Sequence, residues 1–146
     1  MANLTVTITE SVTLNSAARG STNTKTITGV LDVYERVITV PTSEVALYTT
    51  HASVPQGGVF DDDLIKYARI TNLDGSNFVT LRVTNAGSDE TLLKLQAGES
   101  CMLFLHDDST SMNESGAANA TLHAITSVEA TADTAACSVE VFVASA

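Results

Sequence analysis

Leu4, Val6 and Ile8 alternate with Thr5, Thr7 and Thr9 at the start of the chain. A period of two, with β-branched residues on both faces, predicts a strand. Val12 and Leu14 extend it before residues 15–23, a stretch of Ala, Ser, Gly and Asn that reads as a loop. Alternation resumes over 24–30, with Thr24, Thr26 and Thr28 on one face. It returns over 34–40, where Pro41 stops it because proline cannot donate to a ladder. Residues 44–49 form a shorter strand, and 50–63 read as a long loop containing Pro55, Gly57 and Gly58.

Residues 66–73 and 76–84 flank Asp74-Gly75. Asp-Gly between alternating runs predicts a hairpin, since a type I′ turn requires positive φ at both central residues. A two-residue loop pairs Leu73 with Ser76 and thereby sets the register. Ile70 then faces Val79 and Ala68 faces Leu81 on the core side. Thr71/Phe78, Arg69/Thr80 and Tyr67/Arg82 fall on the other. Residues 85–89 make a further turn, and strands at 91–96 and 100–106 surround Ala97-Gly98-Glu99. Residues 107–120 read as a loop. Residues 122–128 read as a strand, although the Ala-rich surroundings also suit a short helix. Cys137, Val139, Val141 and Val143 mark a terminal strand. Apolar spacing of three and four residues with caps is not sustained anywhere, so little helix is expected. About ten short strands separated by turn signals predict an all-β, antiparallel β-sandwich, jelly-roll-like, with long loops.

The 146 residues suit one domain spanning 1–146. Hydrophobic residues make up 44%, and a chain of this size buries roughly 68–70% of its unfolded surface. No metal or disulfide is therefore required for stability. Cys101 and Cys137 read as small buried hydrophobes, with a strand-to-strand disulfide as the other option. Charged residues are only 16%, while Ser and Thr fill roughly a quarter of the chain, an unusual bias. The net charge of −10, with seven basic residues, is opposite to the footprint that nucleic acid or an anionic membrane demands. Proteins, sugars or cations are the partners such a surface suits. The first residues carry neither a basic nor an apolar leader region, and no apolar run is long enough to span a membrane, so synthesis in the cytoplasm is expected.

Candidate chemistry is sparse. His51, His106 and His123 stand near no nucleophile elbow or cysteine motif. His106-Asp107-Asp108 resembles a metal cluster, but adjacent strand residues point to opposite faces and no further ligand stands at zinc spacing. Asp61-Asp62-Asp63 offers carboxylate oxygens to calcium without the alternating spacing and glycine of an EF-hand loop. A solvated acidic turn accounts for it. Gly57-Gly58 precedes Val59-Phe60 rather than a phosphate-cradling lysine. No catalytic residue, cofactor or metal ligand is nominated.

The outer face of the predicted hairpin gathers scarce residue types: Tyr67, Arg69, Phe78 and Arg82. Arginine and aromatics are enriched in buried interfaces, so these four form a candidate protein interface. The competing reading is intramolecular, with Tyr67 over Arg82 as a cation–π pair covered by a loop of the same chain. Strands 4–9 and 137–143, if they lie at sheet edges, offer pairing to another chain.

Three segments carry a resemblance. The opening Met1-Ala2-Asn3-Leu4-Thr5-Val6-Thr7-Ile8-Thr9-Glu10-Ser11-Val12-Thr13-Leu14-Asn15, the central Tyr67-Ala68-Arg69-Ile70-Thr71-Asn72-Leu73 and the final Val139-Glu140-Val141-Phe142-Val143-Ala144 resemble small virion structural proteins of tailed bacteriophages of marine cyanobacteria. The resemblance implies a non-enzymatic capsid decoration or cement protein on the virion surface. It implies binding to the outer face of the major capsid protein, often as a homotrimer, and head stabilisation, without identifying a functional residue. Tail or neck components share this texture, and a host-attachment module binding carbohydrate, calcium-assisted through Asp61–Asp63, is the alternative.

Overall fold

The computed structural model describes residues 2–50, 59–61, 64–105 and 122–146. In chain order the strands are β1 (Ala2–Thr9), β2 (Val12–Leu14), β3 (Ala17–Arg19), β4 (Thr22–Val30), β5 (Asp32–Val40), β6 (Val45–Thr50), β7 (Val59–Phe60), β8 (Ile65–Asn72), β9 (Val79–Asn85), β10 (Glu90–Leu95), β11 (Ser100–Phe104), β12 (Ile125–Ala132) and β13 (Cys137–Ser145). A five-stranded sheet in the order β10-β9-β12-β6-β7 faces a four-stranded sheet in the order β11-β8-β13-β5. All pairings are antiparallel except β6 with β7. The expected antiparallel β-sandwich is the fold, with no helix among the described residues.

Alternation builds the core. Ala68 and Ile70 of β8 and Val139, Val141 and Val143 of β13 are fully buried, as are Val79 and Leu81 of β9 and Val128 of β12. They form one cluster between the sheets. Burying such side chains stabilises by about 1.5–3 kcal/mol each. Cys137 joins this cluster, Cys101 is half-buried, and both are free thiols.

The Asp74-Gly75 segment is not a hairpin turn. The strands on either side of it belong to opposite sheets: β8 lies between β11 and β13, and β9 between β10 and β12. Leu73 donates its N–H to Ser138 O, not to Ser76. Gly75 does not take the positive φ that a type I′ turn needs. Instead the Asp74 carboxylate accepts the backbone N–H groups of Ser76 and Asn77 at 2.9 and 2.7 Å. This is an Asx-type turn. Buried Asn72 donates to the carbonyls of Asn77 and Leu95 and accepts from the Asp74 N–H. The chain thus steps across the sandwich, and Ile70 and Val79 belong to one core cluster instead of pairing across a ladder.

Three further expectations shift. Strand β12 runs to Ala132, with small Ala130 and Ala132 inward and Glu129 and Thr131 outward; alanine signals a buried strand weakly. Residues 59–60, placed in a loop by sequence, form β7. The terminal strand β13 is central, and β5 is the edge beside it.

The largest departure is at the N-terminus. β1 pairs with β4, and β2 with β3. Between β2 and β3, Asn15 and Ser16 have φ of 50° and 64°. Two consecutive positive φ values make the primed two-residue turn here, inside the stretch that reads as a loop. At the junction of the two pairs, Glu10 N–H donates to Ser21 O at 2.9 Å. The result is a long two-legged arm separate from both sheets.

Candidate interaction surfaces

The arm has two unlike faces. Cross-strand partners point the same way, so Leu4 shares a face with Ile27, and Val6 with Lys25. Leu4, Val6, Ile8 and Ile27 are half-buried. They turn toward the outer face of the four-stranded sheet, where Leu4 and Val6 line a cavity of about 300 Å³ with Tyr67, Arg69, Met102 and Phe142. The opposite face is a threonine ladder: Thr5 opposite Thr26, Thr7 opposite Thr24, Thr9 opposite Thr22. The Thr7–Thr24 and Thr9–Thr22 hydroxyls are 3.3 and 3.2 Å apart. Thr24, Thr26 and Thr28 therefore share one face, as the alternation predicts.

Residues 9–26 are exposed throughout. At the tip, Val12 pairs with Arg19 and Leu14 with Ala17, so these four project from a single face. Val12 and Leu14 are 56% and 58% exposed. Gly20 holds the junction with φ of +131°, where an added Cβ would stand 2.0 Å from Glu10 O.

The four candidate interface residues separate onto two sheets, because the hairpin that brought them together does not exist. Tyr67 and Arg69 lie on the four-stranded sheet. Tyr67 is buried, with its ring 5.3 Å from Phe104 and 6.1 Å from Phe142. Burial pushes its phenol up, and the Arg69 charge works against that. Arg69 is ion-paired with Glu140 at 2.6 Å and donates to Thr71 at 2.6 Å. Phe78 and Arg82 belong with the five-stranded sheet. Phe78 stacks under Lys94, 3.8 Å from its ring centre. No Tyr67–Arg82 pair forms. The cover over Tyr67 comes instead from the arm.

Arg82 sits among three carboxylates. Nη1 meets Glu90 at 2.7 Å, and Nη2 meets Glu44 and Glu129 at 2.5 Å. Desolvation opposes the charge, but Glu129, Glu44 and Glu90 outweigh it and hold the guanidinium above its ordinary value. Among the described residues, the Nε of Arg82 has no hydrogen-bond partner. Three acids surround this one guanidinium, and Lys94, two residues from Leu92 on the same face of β10, is the other cation there, so these five side chains leave one negative charge uncompensated. Leu92, directly across the ladder from Arg82, is 67% exposed. An apolar side chain beside surplus carboxylates is a second feature that sequence reasoning missed. The signal was present: period two places Arg82 and Leu92 on outward faces once β9 and β10 are paired through the 85–89 turn.

Among the described residues no group of three or more His, Cys, Asp or Glu is placed to hold a metal ion. His123 covers the β9–β10 turn, where a Cβ on Gly87 would come within 2.6 Å of its ring. His51, His106-Asp107-Asp108, Asp62 and Asp63 lie outside the described residues. The backbone carbonyl of Asp61 accepts the Leu64 N–H at 3.2 Å. Burial raises the thiols of Cys101 and Cys137, with Asp74 and Asp133 adding to the effect at Cys137, which is the opposite of a reactive cysteine. No family model, no curated protein and no solved structure matches the chain.

Proposed function

We propose that this protein is a non-enzymatic structural component of a virion, a capsid decoration or cement protein whose chemistry is contact. The observation that carries the contact reading is the arm: residues 9–26 stand exposed on a two-stranded ribbon. An isolated two-stranded hairpin is at best marginally stable in water. A chain that spends the whole stretch from Ala2 to Val30 on one, with apolar side chains at its tip, has a use for it outside its own core. The virion assignment rests on the resemblance of the opening, central and terminal segments. The major capsid protein is then the surface covered, in a head-stabilising role, with the protein itself a homotrimer.

Two measurements test this. Purified particles are expected to contain the chain in stoichiometric, repeated copies on the outside of the head. Particles assembled without it are expected to release their genome at lower temperature or after milder osmotic shock. A chain absent from purified particles, or particles of unchanged resistance without it, would sink the proposal.

A further inference from the structure

The arm tip and the Arg82 face are complementary, and they cannot meet within one molecule. The arm is rooted over the outer face of the four-stranded sheet. Arg82 and Leu92 belong to the other sheet of the sandwich, on its outer face. The leg from Thr9 to Leu14 reaches roughly 20 Å at about 3.3 Å per residue, far enough to contact a neighbour. Its end presents Val12 and Leu14 with Arg19 alongside. The opposite surface presents Leu92 beside three carboxylates, Glu44, Glu90 and Glu129, which exceed Arg82 and the neighbouring Lys94 by one negative charge.

Charge along the chain is sorted in the same sense. Residues 1–31 carry Arg19 and Lys25 against Glu10, a net +1, so the remaining residues carry −11 of the total −10. The arm is thus the cationic segment of an acidic molecule. Opposite potentials on two patches steer encounter and select the partner.

We propose that the arm tip docks on the outer face of the five-stranded sheet of a second copy of this chain, with Val12 and Leu14 packing on Leu92 and Arg19 entering the carboxylates around Arg82. Two different patches meet, so the contact is heterologous. Such contacts close into a ring when the rotation allows. In this arrangement the guanidinium of Arg19 compensates the negative charge that Arg82 and Lys94 leave. This deepens the assembly role proposed above by naming one partner, and it shares that role's premise that contact is the function.

Cysteine cross-linking in the full chain tests it. In a background of Cys101→Ala and Cys137→Ala, which removes the two native free thiols, an equimolar mixture of Val12→Cys and Leu92→Cys proteins, oxidised under native conditions, should give a disulfide-linked dimer that neither variant gives alone. Light scattering on the unsubstituted chain should show a single finite multimer. Leu14→Asp with Arg19→Glu should weaken association at least about tenfold, since removing an anchor and reversing a charge each exceed about 1.4 kcal/mol at a buried contact. Leu92→Glu should do the same from the other side with the arm untouched, so loss through arm misfolding alone is separable. A chain monomeric at its solubility limit, a Val12→Cys protein that cross-links to itself, or a multimer indifferent to both sets of changes would overturn the inference. A monomer that binds particles through its arm would overturn it and leave the virion role standing. An arm-dependent multimer absent from particles would do the reverse.

Discussion

Asn72 and Tyr48 are both buried polar side chains, and the structure treats them oppositely. Asn72 is wholly buried and its amide reaches the carbonyls of Asn77 and Leu95 while accepting from Asp74. It is the fixed point of the step between the sheets. Tyr48 is equally buried, yet its hydroxyl has no hydrogen-bond partner among the described residues, and burial pushes its phenol far above the ordinary range, with Cys101 adding to it. An unsatisfied buried polar group costs about 1–3 kcal/mol. Tyr48→Phe should therefore leave the stability unchanged or raise it by about 1 kcal/mol in denaturant melts, keeping the edge-on packing against Phe60. A clear loss would mean the hydroxyl has a partner. Asp74 shows a further kind of residue. The N–H groups of Asn77 and Ser76 hold its carboxyl below its ordinary value. A depressed folded pKa adds stability above the unfolded value, near pH 3.9, and that contribution disappears as pH falls through the folded value. Asp74→Asn keeps an acceptor and removes the titration. The variant should lose stability less steeply than the parent chain below about pH 4 in acid denaturation; parallel curves would refute this.

Arm and sandwich are separate elements, and one glycine decides the shape of the arm. At Gly20 any side chain meets Glu10 O at 2.0 Å, backbone against backbone, at a φ of +131°. Gly20→Ala should disrupt the junction between the β1–β4 and β2–β3 pairs and leave the core cluster intact. The expected readout is faster trypsin cleavage after Arg19 and Lys25 with an unchanged thermal midpoint of the body. A lowered midpoint would mean that the arm is part of the cooperative core. The same element shows where sequence reading succeeds and fails. Strands with strict alternation were legible: β9 and β13 follow period two and their inward residues are buried, while β1 alternates between half-buried and exposed positions over the sheet. Partner choice was not. Asp74-Gly75 suits a primed turn by residue type, and Asn15-Ser16 suits it less well, yet the second takes it. Local propensity cannot register that Ala68 and Ile70 have a better neighbour in β13 than in β9. Nor does it register that the Asp74 side chain offers the backbone another way to turn. The error propagated to the candidate interface, because Tyr67, Arg69, Phe78 and Arg82 shared a face only through that register. Alternation did place each of them on the outward side of its own strand, so face was legible and sheet was not.

Charge is distributed over the whole molecule so that folding and association answer to salt in opposite directions. Among the described residues from 32 onward, eleven acids face five bases, and this net negative charge repels itself within the sandwich. Raising ionic strength from about 0.01 M to 0.15 M shortens the Debye length from about 30 Å to about 8 Å. Repulsion between carboxylates on opposite sides of the sandwich is then screened, and the folded monomer gains stability. The docking of a cationic tip on an acidic face is weakened by the same screening, although its apolar part, Val12 and Leu14 on Leu92, is not. The Leu14→Asp, Arg19→Glu chain, held monomeric, should therefore melt at higher temperature as salt is added. The multimer of the parent chain should dissociate at lower dilution over the same range, without vanishing. Ion pairs such as Arg69–Glu140 at 2.6 Å are too short-ranged to reverse the first trend, since partly exposed pairs contribute only about 0–1 kcal/mol. A multimer that strengthens with salt would point to purely apolar contact, and would remove Arg19 and the Arg82 carboxylates from the interface while leaving Leu92 in it.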